Sequence, residues 1–340
     1  MKIRGNPWFV FCSEEAGAGQ QLQSSRMFRW FPIIAVVVPS LASAQTLPGA
    51  LTGAMGGRSG AAVVLSVESG KILASYRPQV AAQRVTRPGS AIKPFVLLEL
   101  LGSRKALPNT EWSCRRRVQI GSHSLDCQHV RTVEAMNAER ALAYSCNSYF
   151  TEMGTRLTDA ELTASYRRAG FGSATHLVNA EASGYVRSAS TREELQLKAV
   201  GEERIEVTPL QMAAAYRRLA LDVGRSEGKM PSQLPAGSQR YETLGRQRYD
   251  EALATVLAGL RSAVRYGTAQ GARAKGFEVA GKTGTSTAEE GPWTHAWFAG
   301  IAPATKPEIV VVIFLERGHG SDAAEIAGEI FKAWATRGRR

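Results

Sequence analysis

Ala61-Ala-Val-Val-Leu-Ser-Val67, turned by Glu68-Ser-Gly70 into Lys71-Ile-Leu-Ala-Ser75, is the stretch from which the fold can be read. An apolar run of this length bounded by turn residues predicts a buried strand, and the short return predicts a hairpin. Pro88-Gly89 then breaks the chain before a segment, residues 90–101, whose apolar positions recur at helical spacing. Further helices are expected over residues 133–143, 147–155 and 159–169. Another is expected over residues 208–220, where Thr208 suits the N-cap and Pro209 the first helical position. Residues 222–246, rich in Gly, Ser, Pro and charge, predict an exposed connection. A helix over 250–264, strands over 277–285, 294–301 and 308–316, and a helix over 321–334 complete the chain. Two strands, many helices, three strands and a helix predict an α+β fold. Its five-stranded antiparallel sheet is flanked by helices and completed by both ends of the chain, with an all-helical subdomain inserted in the middle.

With 340 residues and 44% hydrophobic composition, the chain can bury a substantial core. Its net charge of +12 raises the question of nucleic acid. The basic residues are scattered, as in Arg115-Arg116-Arg117, Arg167-Arg168 and Arg217-Arg218, and lack the interleaved aromatics of a base-stacking surface. No nucleic-acid partner is therefore expected. Met27-Phe-Arg29 precedes an apolar run that begins at Trp30, and Ala42-Ser-Ala44 matches a small-x-small cleavage pattern. Residues 1–44 are thus expected to be an export signal, with Met27 as a candidate true start, residues 45–60 a flexible N-terminal segment, and residues 61–336 the folded domain. The destination is the periplasm or the cell envelope. Removal of the signal takes Cys12 with it and leaves Cys114, Cys127 and Cys146 in an oxidising compartment. Gly121-Ser122 can turn the intervening segment, so a Cys114–Cys127 disulfide is expected with Cys146 free. A metal site using His123 and His129 fits no common zinc spacing, and none is expected.

Three motifs carry chemistry. Ser90-Ala-Ile-Lys93 opens a helix, and a spacing of three puts hydroxyl and amine on one face, where Lys93 can take the serine proton. Ser226-Glu-Gly-Lys229 has the same spacing but sits in the polar connection, so the Pro-Gly turn and the amphipathic helix favour Ser90. Ser145-Cys146-Asn147 lies between two helices: its hydroxyl can relay a proton and its amide can hold a carbonyl or orient the lysine, although a plain N-cap is the simpler reading of an isolated Ser-x-Asn. Lys282-Thr283-Gly284-Thr285 lies in an apolar strand pattern, where a lysine needs a reason and glycine admits a close neighbour. Lys282 would supply charge for an anionic peptide end, Thr283 and Thr285 hydroxyls, and the Thr285 N–H an oxyanion contact alongside that of Ser90.

Together these motifs resemble the penicillin-binding transpeptidases and their serine β-lactamase relatives. The likeness extends through Arg87-Pro-Gly-Ser-Ala-Ile-Lys-Pro-Phe95, Tyr144-Ser-Cys-Asn-Ser-Tyr-Phe150, Val207-Thr-Pro-Leu-Gln-Met-Ala213, Val279-Ala-Gly-Lys-Thr-Gly-Thr-Ser286 and His295-Ala-Trp-Phe-Ala-Gly-Ile-Ala-Pro303. The resemblance implies that Ser90 is the acylated nucleophile, Lys93 its base, Ser145 a proton relay, Asn147 a substrate-amide contact, and Lys282, Thr283, Gly284 and Thr285 the carboxylate and oxyanion site. No cofactor is implied. The implied partners are peptidoglycan stem peptides, β-lactams and other cell-wall synthesis proteins. Neither the N-terminal pedestal of class B members nor the glycosyltransferase domain of class A is recognisable, so a nearly bare catalytic module is expected.

The implied activity is D,D-transpeptidation, with D,D-carboxypeptidase and β-lactamase as alternatives that differ in the acceptor and in the fate of the acyl-enzyme. A non-catalytic β-lactam sensor is a further alternative, against which the completeness of the motifs argues. Fast hydrolysis calls for an added base, such as a glutamate in a Glu-x-x-x-Asn context between the second and third motifs. Glu161, Glu181, Glu193 and Glu194 lie in that interval without the asparagine and read as surface charges.

Overall fold

The computed structural model describes residues 46–130, 132, 133, 135–226 and 245–337. The export signal expected at residues 1–44 lies outside them, apart from which Lys229 of the second Ser-x-x-Lys is also not described. The expected sheet is present and antiparallel throughout, in the order Ile72–Tyr76, Gly60–Ser66, Ile309–Leu315, Thr294–Ala302 and Ala280–Thr287. Gly60–Ser66 pairs with Ile309–Leu315 over its whole length, from Gly60 opposite Leu315 to Ser66 opposite Ile309, so the two ends of the domain close one sheet. The strand carrying the third motif is its edge.

Alternation along the strands feeds two cores, because successive side chains leave opposite faces. Val63, Leu65, Val310, Val312, Phe314 and Trp297 face the inserted helices, and Val64, Val311, Ile313, Leu315 and Phe298 face the terminal ones. With both faces covered, the three central strands read as largely apolar runs in place of an apolar-polar alternation.

The segment expected to be flexible is ordered. Leu47–Met55 is a helix, capped by Thr46, which accepts from Gly49 N, and stopped by left-handed Gly56. Leu47, Leu51 and Met55 are buried in the same core as the C-terminal helix Gly320–Arg337, and that packing outweighs the local glycine content. The helix expected over 133–143 is shorter, Ala138–Ala143, because Asn137 caps it and Ala135–Met136 pairs with Trp112–Ser113. The helix Pro209–Ser226 starts with a reciprocal cap: Gln211 N donates to Thr208 Oγ1 and Thr208 N to Gln211 Oε1.

Candidate active site

Ser90 stands in a 3-10 turn, Gly89–Ile92, that runs into the buried helix Lys93–Gly102. Residues three apart eclipse in a 3-10 turn, so Ser90 and Lys93 share a face more directly than in an α-helix. Two glycines bring the turn against the edge strand. Gly89 has φ +51, and a Cβ there would lie 2.4 Å from Thr285 O. Gly284 leaves room for Pro88 O and Ala91 N, which a Cβ would meet at 2.7 and 3.0 Å. The strand glycine therefore admits the backbone of the nucleophile turn. Trp297 Nε1 and Ser286 Oγ both donate to Arg87 O and pin the turn from the sheet side.

Lys93 is fully buried, and its Nζ donates to Asn147 Oδ1 at 2.7 Å, Ser145 O at 3.0 Å and Ser145 Oγ at 3.4 Å. Burial lowers its pKa to about 8, against the opposing pull of Cys127, Cys146 and Glu202. Part of the amine is then neutral near physiological pH. The second motif is no plain N-cap: Cys146 occupies the cap of Asn147–Gly154 without a side-chain cap bond, and the flanking Ser145 and Asn147 reach Lys93. Ser145 has φ +56, a conformation that an L-residue holds only where its surroundings impose it. Asn147 Nδ2 donates in turn to Asp126 O.

The cleft, of about 550 Å³, is lined by Ser90, Ser145, Asn147, Thr283, Thr285 and neighbours. Thr283 shares a short hydroxyl contact with Thr268, 2.6 Å, and Thr285 Oγ1 accepts from Gly320 N. Lys282 is fully buried, as its place in an apolar strand pattern requires, and donates from Nζ to Thr283 O at 3.0 Å. Burial, reinforced by Lys93, holds its pKa well below the ordinary lysine range.

The cysteines differ from expectation. Cys114, Cys127 and Cys146 are all free thiols, and the Cys114–Cys127 disulfide is not formed. His129 joins them, and one donor atom from each of the four lies within 4.8 Å of the others. Cys146 Sγ is 3.5 Å from Cys114 Sγ and 3.9 Å from Cys127 Sγ, and His129 Nε2 is 3.2 Å from Cys114 Sγ. A tetrahedral zinc ion with Zn–S of about 2.3 Å spaces its donors by roughly 3.8 Å, so this Cys3His set fits zinc. The four residues are therefore a candidate metal site that the spacing of His123 and His129 did not suggest. The linear spacing hid the set because Cys146 comes from the second motif, and His123 takes no part, facing Glu203 at 3.5 Å. The hydrogen bond between Cys127 and Cys146 pulls the Cys127 thiol down and pushes Cys146 up, and burial raises Cys114.

Of the four glutamates weighed as hydrolytic bases, Glu161 closes the cap of Asp159–Ala169 and pairs with Lys105, Glu181 accepts from the Thr175, Leu177 and Val178 amides, and Glu194 accepts from Ser190 N and Arg204 while its own N–H donates to Thr191 Oγ1. Glu193 sits against Gly121. The carboxylate that does enter the cleft wall is Glu202, which sequence reasoning missed. Only its place directly after the Gly201 helix stop could have pointed to it.

The sheet thus brings a serine, a buried lysine and the polar pair Ser145 and Asn147 together beside its edge strand. Residues 60–335 match the model of the penicillin binding protein transpeptidase domain, and the chain belongs to that family. Among curated proteins it is 25% identical over 350 residues to "Peptidoglycan D,D-transpeptidase MrdA" of Acinetobacter baumannii, covering 82% of this chain and 51% of that one. The chain thus spans about half the length of this relative. Among solved structures, Pseudomonas aeruginosa PBP2 in complex with WCK 5153 superposes with a TM-score of 0.70 at 23% identity, over 85% of this chain and 74% of that one. The apo transpeptidase domain of Burkholderia pseudomallei penicillin-binding protein 3 gives 0.71 at 23%, over 86% and 93%. Both show the fold.

Proposed function

We propose that the chain is a serine D,D-transpeptidase acting on peptides that end in D-Ala-D-Ala. The observation that carries this reading is the buried Lys93 amine, three residues from Ser90 and held by Asn147 and Ser145. Neutral Lys93 takes the Ser90 proton as Oγ attacks the penultimate D-alanyl carbonyl. The backbone N–H groups of Ser90 and Thr285 stabilise the oxyanion. The proton returns through Ser145 to the departing D-alanine amine as the peptide bond breaks, leaving an ester on Ser90. Thr283 and Thr285 hold the terminal carboxylate, with the Lys282 amine fastened to Thr283 O. An acceptor amine then attacks the ester, and Ser90 regains its proton. β-Lactams enter by the same first step and remain as the acyl-enzyme. Export to the cell envelope, from residues 1–44, and association with other cell-wall synthesis proteins belong to this reading.

The Cys114, Cys127, His129 and Cys146 set would hold a structural zinc ion, tying the segment before and after the Arg117–Asp126 hairpin to the second motif through Cys146. It leaves no open position and takes no part in the chemistry.

The test is a D-alanyl thioester donor offered with an amine acceptor to the pure protein. Formation of the acyl-amine product, with penicillin turning over far more slowly, supports transpeptidation. Hydrolysis alone moves the reading to a carboxypeptidase, and rapid multiple turnover of penicillin moves it to a β-lactamase.

A further inference from the structure

A second recess, of about 580 Å³, opens beside the catalytic cleft, and the chemistry above leaves it unused. Val133, Ala135, Arg140, Tyr144 and Tyr266 line it. The two tyrosines line the cleft as well, so they form a sill between the two spaces. The sill is built by contacts distant in sequence. Thr268 N donates to Ala143 O at 3.1 Å, and a Cβ at Gly267 would lie 2.1 Å from the same oxygen. The segment Tyr266-Gly267-Thr268 therefore lies tight against the chain that leads into the second motif. The junction sets the Tyr144 and Tyr266 rings 5.4 Å apart. Tyr266 OH donates to Glu139 Oε1 at 3.3 Å, the same oxygen that takes Ser262 Oγ at 2.6 Å, and the His129 ring flanks Tyr144 at 5.7 Å. Both rings are thus held in place. Among the described residues that line the recess, Arg140 alone carries a charge. A concave space with an aromatic wall and one cation suits a ligand that is part apolar and part anionic.

We propose that this recess is the acceptor subsite, in which an anionic peptide chain lies with its amine passing over the Tyr144–Tyr266 sill to the ester on Ser90. The inference rests on the transpeptidase reading and deepens it. Aminolysis of the ester is acylation run backwards, so the acceptor nitrogen stands where the D-alanine nitrogen left. The departing D-alanine has its carboxylate by Thr283, whose hydroxyl is 2.6 Å from that of Thr268, two residues beyond Tyr266. The leaving-group side of the cleft is therefore the side of the sill. Tyr144 directly precedes Ser145, so an amine arriving over its ring meets the hydroxyl that takes its proton. The nitrogen bonds to the ester carbon, the ester C–O bond breaks, and the amine proton passes through Ser145 to Ser90 Oγ. The rest of the acceptor lies along the tyrosine faces, and a carboxylate on it meets the Arg140 guanidinium.

The test holds one D-alanyl thioester donor fixed and varies the acceptor: glycinamide, and N-glycyl oligoalanines of increasing length, each as the free acid and as the amide. The wild type is expected to favour the free acid over its amide by about tenfold in acceptor kcat/KM at the length that reaches Arg140, the scale of one charge-assisted hydrogen bond. In Arg140→Gln that preference falls to near unity, and in Arg140→Glu it inverts. Tyr266→Ala is expected to weaken every oligoalanine by about tenfold in acceptor KM, while glycinamide and penicillin acylation stay within about twofold. No preference for the free acid at any length overturns the assignment. A change in donor KM in Arg140→Gln also overturns it, by placing the guanidinium on the donor. An equal loss with glycinamide and the oligoalanines in Tyr266→Ala overturns it too, by making the ring a support of the cleft. Failure of the wild type to transfer the acyl group to any amine, glycinamide included, overturns the transpeptidase reading itself, and is distinct from a loss of preference.

Discussion

Lys93 Nζ donates to Asn147 Oδ1 at 2.7 Å, across 54 residues of sequence, and this bond joins the first motif to the second. It fixes where the amine points, because Asn147 is itself held by the Asp126 carbonyl. Asn147→Ala is expected to leave the fold intact and to slow acylation by penicillin by roughly hundredfold, the scale of a misplaced general base. Stopped-flow measurement of the second-order acylation rate checks this, and an unchanged rate would remove Asn147 from the mechanism.

The lowered pKa of Lys93 sets the pH dependence. Acylation needs the neutral amine, so the rate should climb with pH, pass half its maximum near 8, where burial has placed the group, and level off above. The shift is downward from the ordinary 10.5, so the neutral fraction at neutral pH exceeds that of a free lysine. A profile flat from about pH 6 to 9 would contradict the role of Lys93 as base.

Lys282 separates its polar contact from packing. Its amine is buried and donates to Thr283 O, so Lys282→Met removes a desolvated polar group at little cost in volume. The expected result is a melting temperature at or above that of the wild type together with acylation slowed by roughly tenfold or more, as the contact that positions Thr283 is lost. Equal acylation rates would show that Lys282 only packs the strand.

For the Cys/His set, the protein as purified without chelator is expected to contain about one zinc per chain, and Cys127→Ser with His129→Ala to abolish it. Chelation should lower the melting temperature and slow acylation, since Cys146 lies between Ser145 and Asn147. Peptide mapping without reduction that finds Cys114 linked to Cys127 would restore the disulfide instead.

Much of the fold was legible in the sequence, because the three central strands, Gly60–Ser66, Ile309–Leu315 and Thr294–Ala302, are buried on both sides and therefore appear as largely apolar runs. The three motifs were legible because each needs a small set of polar residues in an apolar setting. What could not be read came from contacts distant in sequence. Gly56 and Gly57 suggested flexibility at residues 45–60, but Leu51 and Met55 are wholly buried. His129 and Cys146 meet only because the hairpin Arg117–Asp126 folds back onto the second motif. Glu202 carries no local mark that separates it from Glu193 or Glu194 on the helix before it. Only the junction of Gly201 with Gly89 brings it to the cleft.

The most direct test is the site of covalent labelling. Wild type and Ser90→Ala are incubated with a fluorescent penicillin, and the labelled peptide is identified by mass spectrometry. One label per chain on Ser90, absent from Ser90→Ala and retained in Ser226→Ala, is the predicted result. Label that persists in Ser90→Ala, or that maps to another residue in the wild type, would contradict it.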